Sequence, residues 1–467
     1  MKKILLLVIL VIQNISAQII SKDNAFATNG IYNSGINVYF SWTMVQDSAG
    51  KIYSSYTDPN GSNSVLFRLT SNGTLDPAFG NNGTVQLPYH TYQNQLKIQP
   101  DGKLVVFGYS NTAGIIYRIL PNGQLDLTFG TGGISTVPPT GSDINVRSYG
   151  LILQQNGKIV IHGMIDGPNG TGWHQVSRLN TNGSIDSTFG NNGSFRTAGN
   201  PVNGTFVFTD NQSNIITLSN INSANNANGI MKKFNSEGQP ITSFGDNGTL
   251  QMTFNLGYAG GAMMDSNNRI VYSNQDHEIF RINPDGTLDN TFNYNLDTYS
   301  GLNGGAWIQS IVEKNGYYYI GGNGEGDFSS TYFISKLNQN GSINSSFGYY
   351  SEAAALSSIE EMVINDNDII VNGSGYIVKY LLNNSTLSAT EAVKNNPQMA
   401  FENPVKQNLA YRSKEKISKI EIYSLDGKIV KTLKDSDTDV SELLKGNYMA
   451  KVTFENGRII VKKLIKN

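Results

Sequence analysis

The chain has 467 residues, no cysteine and a formal net charge of −2, with 15% charged residues, 39% hydrophobic residues and 49 glycines. No disulfide framework is possible, so stability must come from packing. A near-neutral chain with this apolar content is not a disordered one, and the body lacks the clustered basic face of a nucleic-acid binder. Gln18 to Thr390 carries 17 Lys+Arg against 26 Asp+Glu, whereas Phe401 onward carries 14 against 9. The tail's lysines alternate with apolar residues, as on the solvated side of strands.

The chain opens "MKKILLLVILVIQNISAQ". Two lysines, a short apolar run and small residues form the three-part pattern of a secretory signal peptide, residues 1–17, with cleavage expected after Ala17. The run is shorter than the ~20 residues a membrane span needs. Without cysteine, lipid anchoring at a new N-terminal cysteine is excluded. No second run is long enough to cross a membrane.

Three strings then recur. "NGTLDPAFGNNG" (Asn72–Gly83), "NGQLDLTFGTGG" (Asn122–Gly133) and "NGSIDSTFGNNG" (Asn182–Gly193) represent the first. Its phenylalanine falls at Phe26, Phe79, Phe129, Phe189, Phe244, Phe292 and Phe347, a mean period of about 53 residues. The second string is "QPDGKLVVFG" (Gln99) and its relatives. The third is "IYRILPNG" (Ile116) and its relatives. Each occurs seven times across residues 18–384.

Each unit contains four short alternating strands rich in Val, Ile, Tyr and Phe, separated by Asn-Gly and Asp-Gly turns that accept positive φ. The expected grouping starts with the strand after FGxxG ("GTVQL"), followed by "QLKIQP", "KLVVFG" and "YRIL". Such a sheet cannot bury both faces alone. Seven stacked around an axis do, so the fold class is all-β: a seven-bladed β-propeller of four-stranded blades. The N-terminal copy at Phe26 is placed to complete or abut the blade made by "YIVKYLL". An open β-solenoid is the alternative.

The R-L, D-G, L-D-x-x-F-G-x-x-G and D-G-K elements resemble the delta-60 repeat family over roughly Asp23 to Leu382. The resemblance implies a propeller placed outside the cytoplasm and no agreed activity. Within the repeat, Asp76, Asp126, Asp186 and Asp289 are either calcium ligands or Asx-turn formers. The position is Ile241 in the fourth copy and Asn344 in the sixth, which favours the turn, so no cofactor is expected, with calcium as the alternative. The phenylalanines are expected at blade interfaces, and Arg68, Arg118, Arg178, Lys233, Arg281, Lys336 and Lys379 near carbonyls.

The four histidines (His90, His162, His174 and His277) show no zinc spacing, and neither a nucleophile elbow nor a phosphate loop is present. No catalytic residue is identified. Binding is favoured over catalysis, although acids from different blades could meet at the axis unseen in sequence. The longest loops fall between "KLVVFG"-type and "YRIL"-type strands, at Gly163–Gln175, Ser219–Gly229 and Gly321–Tyr332. They, with the neighbouring Trp307, supply the candidate ligand-binding residues Trp173, His174, Trp307 and Asp327, for a glycan or protein partner.

Residues 385–398 read as a linker. Residues 399–467 alternate like about seven strands of a small β-sandwich. Asn403-Pro404, "IEIYSLDGKIV" (Ile420–Val430), "VSELLKGNYMAKV" (Val440–Val452) and "VKKLIK" resemble the type A sorting domain of the Bacteroidetes type IX secretion system, with "FENP" where that family often has Tyr-Pro-Asn-Pro. The resemblance implies that Asn403, Pro404, Gly427, Lys428, Gly446, Tyr448, Lys462 and Lys463 belong to a sorting signal. Its partners would be the outer-membrane translocon and sortase. The expected protein is secreted or cell-surface, a non-catalytic binding or adhesion module. The alternatives are a carbohydrate-active enzyme with acids at the axis and a structural surface-layer component.

Overall fold

The computed structural model describes residues 20–35, 43–57, 64–89, 91–110, 113–137, 145–166, 172–197, 201–221, 228–256, 259–274, 278–294, 306–324, 331–344, 347, 349–353, 358–382, 399–401, 404–413, 416–424, 428–434, 437–455 and 459–467. The expected signal peptide and linker, and Asp327, Asn403, Gly427, His90 and His277, lie outside them. The chain divides into two compact units, Met1–Asn384 and Ser385–Asn467.

The first unit is all-β, with seven antiparallel sheets among the described residues. The first sheet runs Met44–Gln46, Ile52–Thr57, Ser64–Leu69, Thr84–Gln86. The second runs Tyr92–Ile98, Leu104–Tyr109, Gly114–Ile119, Ile134–Val137. The third (Asn145–Leu153, Ile159–Asp166, Gly172–Leu179, Ser194–Thr197) and fourth (Pro201–Thr209, Ile215–Ile221, Asn228–Phe234, Thr249–Asn255) repeat this order. The fifth shows three strands, Ala259–Met264, Ile270–Asn274 and Ile279–Ile282. The sixth has Ala306–Lys314, Tyr317–Gly324, Thr331–Leu337 and Tyr349–Ala353.

The seventh sheet joins the two ends of the unit. Glu361–Ile364, Asp368–Gly373 and Tyr376–Leu382 come from one end. Ile20–Lys22 and Ile31–Asn33 come from the other, and both pair with Tyr376–Leu382. Without them, that strand would present a row of unpaired backbone groups.

The structure corrects the expected grouping of strands. The strand after FGxxG pairs with the strand before the motif: Val65–Phe67 with Thr84–Gln86, and Gly114–Tyr117 with Ile134–Val137. The motif is therefore the third-to-fourth connection inside a sheet, not the entry into a new one. Sequence order alone is compatible with either grouping. Hydrogen bonding decides it, because the motif is compact enough to turn the chain back onto its own neighbour. The Asp76 amide bonds the Arg68 carbonyl and the Arg68 amide bonds the Gly83 carbonyl.

Each pair of neighbouring sheets shares a buried apolar cluster. The repeat phenylalanine of one sheet sits among residues of the next. Phe79 packs with Leu96, Leu104 and Tyr117; Phe129 with Leu151 and Ile159; Phe189 with Val207 and Ile215. Phe244, Phe292 and Phe347 occupy the next three interfaces. Phe26 lies with Met44, Ile52 and Ile370, so the seventh sheet packs on the first. The first strands of the sheets neighbour one another in the same cycle. These strands surround an axis.

The second unit has a four-stranded sheet (Ile429–Lys434, Ile417–Tyr423, Gly446–Phe454, Ile459–Lys466) and a two-stranded one (Met399–Phe401, Tyr411–Ser413) among the described residues. Alternation on Ile417–Tyr423 buries Ile420 and Ile422 against Val440, Val452 and Leu464. Glu421, facing the other way, is bracketed by Lys419 (2.9 Å) and Lys451 (3.5 Å).

Candidate functional site

The repeated motif is built as a latch between sheets. Asp76, Asp126, Asp186 and Asp289 each accept through Oδ1 the backbone amide two residues on, at 3.0, 3.1, 3.2 and 3.0 Å. The other carboxylate oxygen takes the arginine of the preceding strand. Arg118 Nε lies 2.8 Å from Asp126 and Arg178 Nε 2.6 Å from Asp186. The D-G-K lysine of the same sheet joins them, Lys158 to Asp186 at 2.7 Å. The guanidinium then reaches across the interface. Arg68, Arg118, Arg178 and Arg281 donate to the carbonyls of Pro121, Thr181, Ser236 and Gln339 in the next sheet. Each also lies over its motif's phenylalanine, 4.6–4.8 Å from the ring centroid, where the ring quadrupole attracts it.

The glycine after phenylalanine completes the latch. The amides of Gly80, Gly130 and Gly190 bond the carbonyls of Asn122, Asn182 and Glu237, in the next sheet's Asn-Gly-type turn. At Gly123 of that turn, φ is +91° and a Cβ would stand 2.4 Å from the Gly80 amide nitrogen. Only glycine admits this approach. Burial alone would raise the Asp126 carboxyl, but hydrogen bonds from the Thr128 hydroxyl and amide, with the Arg118 and Lys103 charges, hold it down to about 2. In the fourth copy, where Ile241 replaces the aspartate, Lys233 pairs instead with Asp210 at 3.0 Å. In the sixth, Lys336 stands 3.8 Å over the Tyr317 ring.

A different set of residues faces the axis. Four positions before the first residue of six of the D-G-type turns, and three before Glu313 in the sixth sheet, stand Thr43, Gln95, Gly150, Phe206, Gly261, Ser310 and Glu361. Thr43, Gln95, Phe206, Ser310 and Glu361 line one cavity of ≈ 370 Å³, with Ala262 beside Gly261. Gln95, Gly150, Phe206 and Ala262 line a second of ≈ 630 Å³, together with Lys97, Phe208 and His162. The shared residues make the two spaces neighbours on the axis. Volumes of this order accommodate small ligands.

Three local features shape this tier. First, Glu361 Oε2 accepts the Met44 amide at 2.5 Å, tying the seventh sheet to the first. Glu361 is half-buried. Burial raises its carboxyl pKa, partly offset by the Lys97 charge and by hydrogen bonds from the Met44 amide and Thr43 hydroxyl. Second, Gly150 leaves room for an imidazole from the neighbouring strand. A Cβ there would lie 1.9 Å from His162 Nε2, so His162 fills this position of the tier. His162 Nδ1 is 3.1 Å from His174 Nε2, which fixes the ring. Burial lowers the His162 pKa to about 3 and, with the His162 neighbour, lowers that of His174, so both rings are neutral at pH 7. Third, Phe206 and Phe208 stack at 6.2 Å along one strand and present aromatic surface to the cavity.

Two sequence-based expectations need correction. Trp173 and His174 were expected in a loop, but both lie in the strand Gly172–Leu179. The turn-forming Gly and Asn precede this strand, and its residues from His174 to Leu179 are all buried. His174 is fully buried and faces His162, not solvent. Trp173 is half-buried, with Arg196 5.9 Å from its ring centroid. Trp307 is half-buried opposite Asn323, in the first strand of the sixth sheet. Of these residues, His174 touches the axial tier, through His162, and neither Trp173 nor Trp307 lines its cavities. Gln95, Phe206 and Glu361 went unnoticed in the sequence, and His162 was weighed there only as a zinc ligand. Aligning the seven repeats on their D-G turns would have marked the position of the first three, but not His162, which enters from the neighbouring strand.

The family model described as "Domain of unknown function (DUF5122) beta-propeller" matches residues 51–79, 99–129, 154–189 and 269–292, each segment ending on a repeat phenylalanine. The model described as "Secretion system C-terminal sorting domain" matches residues 400–467. No curated protein matches the chain. Among solved structures, BamB from Moraxella catarrhalis is 12% identical, with TM-score 0.38, covering 75% of this chain and 98% of that one. A PL25 ulvan lyase, a polysaccharide lyase, is 12% identical (TM-score 0.40; 78% and 96% covered). A puromycin hydrolase is 10% identical (TM-score 0.45; 96% and 63% covered). No helix among the described residues is long and apolar enough to cross a membrane. The chain carries a β-propeller of the DUF5122, delta-60 repeat type and, at residues 400–467, a type IX secretion system sorting domain.

Proposed function

We propose that this chain is an exported binding protein: its N-terminal residues 1–17 direct it through the inner membrane, the sorting domain hands it to the type IX translocon, and the propeller binds a glycan or protein at or beyond the cell surface. The sorting-domain match at residues 400–467 carries the export half of this proposal. The axial tier supports the binding half, because donors, acceptors and an aromatic face converge there from separate sheets. The test is a broad glycan array probed with the purified protein, with calcium and then with chelator, beside cell fractionation with and without residues 400–467. Specific hits and loss of surface delivery on truncation are expected. Retained delivery would reject the export role. Absence of any glycan hit would move weight to a protein partner, and binding lost with chelator would return the repeat aspartates to consideration as metal ligands.

One observation favours a second function. Glu360 and Glu361 both line the axial cavity, and burial raises the Glu361 carboxyl as a general acid requires. Release of reducing ends from an array hit would establish a carbohydrate-active enzyme in place of a binding module.

A further inference from the structure

We propose that the axial tier is the ligand site and that it takes the terminal residue of a saccharide chain, end-on, with the sugar hydroxyls on Gln95, His162 and Glu361 and one sugar face on Phe206. The inference rests on the binding function proposed above and names its site and ligand class.

Five observations lead to it. The polar side chains of the tier come from different sheets yet share one cavity system. Its Gln95 amide and His162 imidazole are neutral donor–acceptor groups, the kind that read hydroxyls rather than charge. The His162 ring is held in place by His174 behind it, so its orientation is set before a ligand arrives. The aromatic surface of Phe206 and Phe208 adjoins these groups, and a sugar presents an apolar C–H face beside its hydroxyls. The tier is encircled by the first strands of the sheets, which neighbour one another around the axis. A chain cannot lie across such a site, so a terminal residue enters along the axis. Trp173, which the sequence favoured, lies on the third strand of its sheet, away from that ring of first strands.

The experiment compares the intact protein with Gln95→Ala, Phe206→Leu, His162→Gln and Trp173→Ala on oligosaccharides immobilised through their reducing ends. The free terminal monosaccharide of each hit serves as competitor. Tryptophan fluorescence and circular dichroism verify folding. Gln95→Ala is the decisive variant, because its half-buried side chain faces the cavity and belongs to no interface cluster. The expected result is at least about a 10-fold loss of affinity for Gln95→Ala and Phe206→Leu, consistent with one lost hydrogen bond or aromatic contact in a desolvated site. Trp173→Ala should bind as the unaltered protein, and the terminal monosaccharide should compete. Binding kept in Gln95→Ala and Phe206→Leu but lost in Trp173→Ala overturns the axial site and leaves the glycan-binding function standing. Competition by internal fragments only overturns end-on recognition. No saccharide bound by the unaltered protein overturns both the inference and the glycan half of the function.

Discussion

Replacing Asp126 by asparagine tests whether the repeated motif acts through charge or only through its turn. Asparagine keeps an oxygen for the Thr128 amide and hydroxyl, which Asp126 Oδ1 accepts at 3.1 and 2.6 Å. It removes the negative charge facing Arg118 (2.8 Å) and Lys103 (3.3 Å). A carboxyl moved from 3.8 to about 2 favours its ionised form in the folded state by about 2.4 kcal/mol at neutral pH. Asp126 is 4% exposed but is covered mainly by its own partners close beneath the surface. Solvent screening therefore reduces the net effect to about 1–2 kcal/mol. The sign with pH follows from linkage. A carboxyl depressed in the folded state contributes stability that is fully present above 3.8 and is lost as pH falls towards about 2. Urea unfolding followed by tryptophan fluorescence is suitable, because Trp42, Trp173 and Trp307 all lie in the first unit. The gap between the unaltered protein and Asp126→Asn should be full at pH 7 and 5 and narrower by pH 3. A gap unchanged between pH 7 and 3 would refute the electrostatic account and leave only the turn.

The close approach at Gly123 predicts that Gly123→Ala destabilises by at least about 2 kcal/mol, through backbone strain and a clash with the Gly80 amide. Gly132→Ala, at φ +64° with no neighbour within 4 Å of its Cβ, should cost only about 1 kcal/mol in the same urea titration. Equal losses would show that the inter-sheet contact is unimportant. Burial raises the Glu361 pKa above its ordinary 4.5, so the folded state holds that proton more tightly than the unfolded one. Stability from this group therefore falls as pH rises from 4.5 through the raised value. Glu361→Gln should remove that component, and chemical denaturation at several pH values should show the variant's advantage growing with pH. A constant or shrinking advantage contradicts the assignment.

Much of the architecture was legible because repetition is a sequence property. The seven phenylalanines could be counted, and their spacing with Asn-Gly and Asp-Gly turns implied short strands and stacked sheets. The aspartates' local role was also legible, because an Asx turn involves residues two positions apart. Which strands share a sheet was not. The FGxxG strand could join the sheet before or after it, and only the backbone ladder between Val65–Phe67 and Thr84–Gln86 distinguishes them.

The sequence by itself determined the C-terminal sorting domain, the period, the turns and the apolar faces. All of these arise from residues near each other along the chain. The tertiary structure decided what meets across long separations. Arg178 finds the Ser236 carbonyl one repeat away, and Ile20–Lys22 closes onto Tyr380–Leu382 from the opposite end of the unit. His174 was expected in the long stretch Gly163–Gln175 between strands, yet it lies in a strand and faces inward to hold His162. The axial tier is the extreme case. Its members are separated by about one repeat each, and no local rule makes Gln95, Phe206 and Glu361 neighbours. Only closure of the ring of first strands brings them around one axis.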